Sequence, residues 1–294
     1  MANQNNKTVI ITGANSGIGR ETALGLAKQN FNVILACRNL QKAEETRDYI
    51  IRNSKNDSVN AEQLDLGNLN NIKTFAKKIQ INYKRINVLI NNAGSVYNYL
   101  GFTEDGIEQT FGVNHIGHFY LTRLLLNKII KSKPSRIINI ASFAHYSSEG
   151  IQINDINYEN TQYKGFKAYS ESKLANVYFT RHLATLLDPK VTTVNAVHPG
   201  MVRSGFGMDG DLKGLYGQMN KIFRFFEISS TAGARTPIWL ASGEKGGRVT
   251  GEYFARKRPG LISTNARSPE DAKVIWDYSE NLIKERGFSL PSIN

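Results

Sequence analysis

Residues 168–176, AYSESKLAN, place Tyr169 four positions ahead of Lys173. In a helix, positions i and i+4 share a face, so a phenol and an ammonium become neighbours. A phenol with a pKa near 10 is mostly neutral at physiological pH and a poor base. A fixed cation about 4 Å away, at an effective dielectric of about 20, is worth roughly 4 kcal/mol, or about three pKa units. The pair is therefore expected to bring Tyr169 close to neutral pH, ready to give a proton to a carbonyl oxygen or take one from an alcohol. Alone, Tyr-x-x-x-Lys is a common surface pattern. It gains weight from Ser142, which ends a strand-like run at the edge where open α/β sheets bind ligands. A hydroxyl there can hydrogen-bond the reacting oxygen.

Such a pair needs a partner that carries the hydride, which no side chain supplies. TGANSGIGR (12–20) follows a strand-like run and opens a helical one. Glycines there permit positive φ and let the backbone approach a pyrophosphate, whose charge sits at the helix N-terminus. The spacing Gly13, Gly17, Gly19 differs from the common G-x-G-x-x-G, and its position between strand and helix is what makes it informative. Gly13, Asn15, Ser16, Gly17, Ile18 and Gly19 are the candidate contacts. At the end of the next strand-like run, LACRN places Arg38 where an acidic residue would accept from ribose hydroxyls. A guanidinium matches a 2′-phosphate in charge and shape, so NADP(H) is favoured over NAD(H). A solvated arginine is the alternative. Cys37 beside it reads as a small buried residue.

These residues sit in a regular alternation. TVIIT (8–12), NVILAC (32–37), VNAEQLDL (59–66), INVLINN (86–92), RIINIAS (136–142) and VTTVNAVH (191–198) read as strands, apolar nearly throughout, as parallel strands covered on both faces are. Helical patterns at 18–29, 40–52, 69–83 and 107–131 separate the first of them. The alternation predicts a Rossmann-type doubly wound α/β fold: a parallel sheet of about seven strands, with right-handed crossovers and helices on both faces. The composition shifts once, at 201–228, where glycines mix with Phe206, Met208, Tyr216, Met219 and Phe223. That segment reads as a substrate lid on one domain spanning 1–294, with a C-terminal extension from about 256.

The chain's 294 residues carry 37 Lys and Arg against 25 Asp and Glu, a formal charge of +12. The excess favours anionic partners, but the basic residues are scattered and no nucleic-acid module is present, so nucleic-acid binding is not expected. One cysteine leaves no intrachain disulfide and no thiolate cluster. No apolar run is long enough to span a bilayer, and MANQNNK is too polar for a signal peptide, so a cytoplasmic location is expected. His115 and His118 lack supporting ligands, and no metal is expected. His145 and Tyr146 suit either a substrate entrance or the core.

In order along the chain, TGANSGIG, LACRN, DL (65–66), NNAG (91–94), VNHIGHF (113–119), NIAS (139–142), YSESK (169–173) and HPG (198–200) resemble the motifs of short-chain dehydrogenases/reductases from about residue 7 to 255. The resemblance implies a tetrad. Tyr169 would be the acid/base, and Ser142 would polarise the substrate oxygen. Lys173 would lower the phenol pKa and bind the nicotinamide ribose, and Asn114 would interrupt its helix and hold a water linking Lys173 to solvent. It also implies that Asp65 with Leu66 meets the adenine region and that Asn91, Ala93 and Gly94 line or buttress the cofactor. Pro199 and Gly200 would turn the chain so that Val202 and Ser204 face the carboxamide; many relatives have Thr at the latter position. Residues 142–184 are close to the retinol dehydrogenase-like branch, which mostly uses NADP(H) and acts on lipophilic aldehydes, alcohols and ketones. A retinal-like, aldehyde, ketone or steroid substrate is implied. The hydrophobic N-terminal anchor of many members of that branch has no counterpart here, although peripheral membrane contact stays open. Homodimers or homotetramers built through long helices are also implied. The alternative is a non-catalytic NADPH-binding regulatory or scaffold protein on the same fold.

Overall fold

The computed structural model describes residues 7–200 and 228–293. The strands are β1 (Thr8–Thr12), β2 (Asn32–Cys37), β3 (Val59–Gln63), β4 (Val88–Asn91), β5 (Ser135–Ile140), β6 (Thr192–His198), β7 (Tyr253–Ala255) and β8 (Arg258–Pro259). They form one sheet in the order β3-β2-β1-β4-β5-β6-β7-β8, parallel throughout except for the antiparallel β7–β8 hairpin. Eight strands replace the expected seven or so because Arg256 and Lys257 both take positive φ, folding a two-residue return strand onto β7.

The helices are α1 (Gly17–Ala27), α2 (Leu40–Ser54), α3 (Leu69–Asn82), α4 (Gly117–Lys131), α5 (Gly165–Thr185), α6 (Ser230–Ser242) and α7 (Pro269–Glu285). Alternate residues of each strand feed opposite layers. Ile10, Ile34, Leu89, Ile137 and Val194 face a core shared with α3, α4, α5 and α7. Val9, Ile11, Val33, Leu35 and Ile90 face a second core with α1, α2 and α6. Edge strand β3 is the exception, with only Val59 fully buried, against the expectation of an apolar strand.

Local chemistry starts the helices. Asn39 caps α2 by accepting from the Lys42 N–H at 2.9 Å, and Asn68 caps α3 by accepting from Asn71 at 2.7 Å. Ser268 caps α7 in front of Pro269, with Glu270 and Asp271 in the first turn, where the helix dipole favours anions. The single helix expected over 107–131 is broken. A short turn at Gln109–Phe111 leads into a π turn at Gly112–Ile116, and only then does α4 begin. Among the described residues no helix is long and apolar enough to cross a membrane.

Candidate active site

The parallel sheet brings the C-terminal ends of β1, β2, β4, β5 and β6 to one edge, and the candidate residues collect there. Ser142, just past β5, caps a 3-10 turn at Phe143–Ser147, its hydroxyl accepting from the Ala144 N–H at 3.1 Å. The same hydroxyl is hydrogen-bonded to the phenol of Tyr169 in the first turns of α5. One turn on, Lys173 is 2% exposed, donates from Nζ to the Ile140 carbonyl at 3.1 Å, and lies 5.4 Å from the centre of the Tyr169 ring.

The electrostatics differ from the sequence expectation. Burial lowers Lys173 from 10.5 to about 8. Burial raises Tyr169 to about 12, with the Ser142 hydrogen bond pulling partly the other way. The phenol is not brought near neutrality: both groups are taken from water, burial is the leading cause of each shift, and the Lys173 ammonium directs a proton at the Ile140 carbonyl. At neutral pH Tyr169 is therefore a protonated phenol.

Asn114 sits in the π turn and is fully buried. Its Oδ1 accepts from the Ser95 N–H at 2.9 Å, and its Nδ2 donates to the Ser95 carbonyl at 2.9 Å and to Ser172 Oγ at 3.1 Å. Its carbonyl accepts from His118 Nδ1 at 3.0 Å and Asn176 Nδ2 at 3.1 Å. The π turn supplies the helix interruption. A carbonyl with two partners is filled, which leaves an Oδ1 lone pair as the acceptor for the water that the resemblance implies.

The glycine turn fits a dinucleotide. Gly13 (φ +64°) and Gly17 (φ +54°) adopt the left-handed conformation. A Cβ on Gly13 would lie 2.8 Å from the Ala93 Cα, and one on Gly94 would lie 3.1 Å from Asn114 Oδ1 and 3.4 Å from Lys173 Nζ, so a side chain at either would close the cradle. Ser16, the N-cap of α1, makes no side-chain cap bond, and its hydroxyl stays available to an anion at that helix end. Ile18 and Gly19 lie in the first turn of α1. The Asn15 and Ala14 amides donate to Cys37, whose thiol burial pushes up to about 11, so Asn15 would meet a ligand through its side chain. Arg38 is exposed at the end of β2 and forms no ion pair among the described residues. Asp65 accepts from the Gly67 N–H at 2.9 Å beside Leu66, one strand over.

Asn91, expected to line or buttress the cofactor, turns its side chain inward. Its side chain is 3% exposed and donates inward to Thr122 Oγ1 at 2.9 Å and Asn139 Oδ1 at 2.8 Å, bracing β4 from within. Pro199 and Gly200 (φ +99°) turn the chain after β6. Val202, Ser204 and the lid at 201–228, apart from Ile228, lie outside the described residues. His145 is fully buried, which settles its place in the core, whereas Tyr146 is 38% exposed. No group of metal-binding side chains occurs among the described residues.

Several residues that hold this site carry no signal in spacing. Thr12 Oγ1 accepts from the Asn92 and Ala93 amides at 2.8 and 2.9 Å and faces His118 Nε2 at 2.8 Å. Asn92 Nδ2 donates to the Thr12 carbonyl at 2.8 Å, and Asn176 reaches both Asn114 and, at 3.4 Å, Ile140. Thr12, Asn92, His118 and Asn176 stand inside quoted motifs, which is the only hint the sequence offers.

A doubly wound sheet with a glycine turn after β1 and a Ser–Tyr–Lys group at the β5 edge defines a nucleotide-dependent oxidoreductase architecture. The short chain dehydrogenase family matches residues 7–212. The chain is 41% identical over 293 residues to retinol dehydrogenase 13 of Homo sapiens, covering 98% of this chain and 86% of that protein. It is 38% identical to retinol dehydrogenase 12 of Mus musculus, covering 94% and 86%. Among solved structures, an uncharacterised protein from Mycobacterium paratuberculosis superposes with a TM-score of 0.77 at 30% identity, covering 97% of this chain and 95% of that one. A short chain dehydrogenase from Shigella flexneri complexed with NADP shares the fold, with a TM-score of 0.66 at 22% identity, covering 86% and 97%. The chain belongs to the short-chain dehydrogenase/reductase family. Within it, it is retinol dehydrogenase-like, an oxidoreductase of CH–OH and C=O groups.

Proposed function

We propose that the protein is an NADP(H)-dependent oxidoreductase that interconverts lipophilic carbonyls and alcohols of the retinal, aldehyde, ketone or steroid class, with Tyr169 as the acid/base. The observation that carries this reading is the Ser142–Tyr169 hydrogen bond beside buried Lys173, at the sheet edge where the glycine turn opens. The nicotinamide, when bound, supplies or accepts the hydride.

The chain's own groups do the rest. Ser142 orients the substrate oxygen against Tyr169, and in the reducing direction the neutral phenol gives that oxygen its proton. Lys173, still a cation at pH 7 although burial lowers its pKa to about 8, stands between Tyr169 and the ribose side of the groove. Gly13, Gly17 and Gly19 admit the pyrophosphate, and Arg38 meets the 2′-phosphate. A lipophilic substrate is supported by the aromatic rim. Phe143 (61% exposed) stacks on Tyr146 with ring centres 4.7 Å apart, and Tyr99 (71% exposed) stands on a loop whose Tyr97–Asn98 backbone abuts Gly165 at the start of α5. Cytoplasmic residence is part of the proposal, and cell fractionation checks it.

The test is a fluorescence titration of wild type and Arg38→Ala with NADPH and NADH, followed by turnover of retinal, nonanal and an aromatic ketone. NADPH is expected to bind at least about ten-fold more tightly, a margin of about 1.4 kcal/mol, and Arg38→Ala to lose it. Tyr169→Phe is expected to bind NADPH normally and to lose at least about 100-fold in kcat. Tight NADPH binding with no turnover of any carbonyl would move the protein to the non-catalytic reading.

A further inference from the structure

The family match ends at residue 212, and one histidine ties the later 261–268 stretch to the candidate catalytic serine. His145 is fully buried, three residues after Ser142. Its Nδ1 lies 2.7 Å from the Ser142 carbonyl, and its Nε2 lies 3.2 Å from the backbone nitrogen of Ser263, 118 residues away. A carbonyl only accepts and a backbone N–H only donates, so the ring must carry its proton on Nδ1 and present a bare Nε2. That tautomer satisfies both ends at once. Burial lowers the His145 pKa and keeps the ring in this neutral form.

The far end of the bridge is anchored. Ser263 Oγ accepts from the Ala266 N–H at 3.3 Å, and the Asn265 carbonyl accepts from Tyr178 on α5 at 2.9 Å. Asn265 also donates to the Ser148 carbonyl at 3.2 Å, and the Tyr253 ring meets His145 edge-on at 5.0 Å. The near end carries the Ser142 backbone, while the Ser142 side chain is set by the Ala144 N–H of the same turn.

We infer that His145 is a positioning residue for the reaction: a neutral, single-tautomer bridge through which the 261–268 segment holds Ser142 in line with Tyr169. This rests on the proposed function. It adds that the 261–268 segment, which lies after residues 7–212, belongs to the catalytic architecture.

Two half-substitutions separate the arms. Asparagine places its amide where Nδ1 was, so His145→Asn keeps a donor to Ser142 and drops Ser263. Glutamine reaches the Nε2 position, so His145→Gln keeps an acceptor for Ser263 and drops Ser142. With NADPH and with retinal and nonanal as probe carbonyls, His145→Gln is expected to lose at least about ten-fold in kcat, and His145→Asn no more than about three-fold. The KM for NADPH stays within about two-fold in both. Hydrogen exchange at the Ser263 amide runs the opposite way, faster in His145→Asn than in His145→Gln. This crossed pattern carries the inference, because a general loss of stability would move both readouts together. Equal kcat losses that follow the melting temperatures overturn it. Nitrogen-15 NMR of the wild-type histidines decides the bridge independently of turnover. An inactive wild type with His145 protonated on Nδ1 retires the proposed function and keeps the bridge, whereas an active one protonated on Nε2 retires the bridge and keeps the function.

Discussion

His118 Nε2 lies 2.8 Å from Thr12 Oγ1, joining residues 106 positions apart. Thr12 Oγ1 already accepts from the Asn92 and Ala93 amides, so its own hydrogen goes to His118. His118 must then carry its proton on Nδ1, from which it donates to the Asn114 carbonyl at 3.0 Å. The end of β1, the NNAG turn after β4 and the π turn before α4 are thereby held in one register. Thr12→Val keeps the shape and removes the hydroxyl, leaving two amides and an imidazole nitrogen without partners. Leaving such groups buried costs about 1–3 kcal/mol each, so urea unfolding should show a loss of at least about 2 kcal/mol. NADPH titration of the same variant should show weakened binding. Wild-type stability in Thr12→Val would remove the strut.

Lys173 is held for chemistry at the expense of stability. Its pKa falls from 10.5 to about 8 on folding, so the unfolded chain binds the proton more tightly. Stability from this group therefore rises with pH between about 8 and 10.5, and at pH 7 the buried cation costs about 3 kcal/mol. Lys173→Met should unfold at higher temperature than wild type while losing turnover. A lower melting temperature would show that the bond to Ile140 outweighs the burial cost.

Acid should unfold the protein through its histidines. Burial holds His115 and His198 at about 4 and His118 at about 3, all below the ordinary 6.5. Each is neutral when folded and takes a proton when unfolded, so stability is full above pH 6.5 and drains as pH falls toward 4. Each contributes a slope of about 1.4 kcal/mol per pH unit. Guanidinium unfolding midpoints measured from pH 7.5 to 4.5 should fall accordingly. His118→Phe, which cannot take the proton, should show a shallower fall.

The long helices α4 and α5, through which the family resemblance implies self-association, are covered on one side by α7. Phe119 and Phe179 pack on Trp276 with ring centres 4.8 and 6.0 Å apart, His115 Nε2 meets Ser279 Oγ at 2.9 Å, and Arg123 pairs with Glu280. A partner docking on that side would have to displace α7. Multi-angle light scattering at micromolar concentration should therefore give the mass of a monomer. A dimer that survives Trp276→Ala would mean that association uses another face.

The sequence by itself determined the layered α/β architecture, the glycine turn, the place of Arg38 and the Ser142, Tyr169 and Lys173 group. Strand alternation, positive-φ glycines and i, i+4 spacing are local rules, and they read through from residue order. What only tertiary structure decided lies where distant segments meet. The sign of the Tyr169 shift reversed because burial belongs to the assembled edge of the sheet and not to the helix that carries the pair. Asn91 turned inward because α4 and β5 offer it Thr122 and Asn139, and the helix expected from 107 gave way to a π turn that aims the Asn114 carbonyl at His118 and Asn176. His118, which the sequence pairs with His115, and His145 became braces of the site because each needed one partner nearby and one more than 100 residues away, and only the folded sheet brings those partners within hydrogen-bond reach.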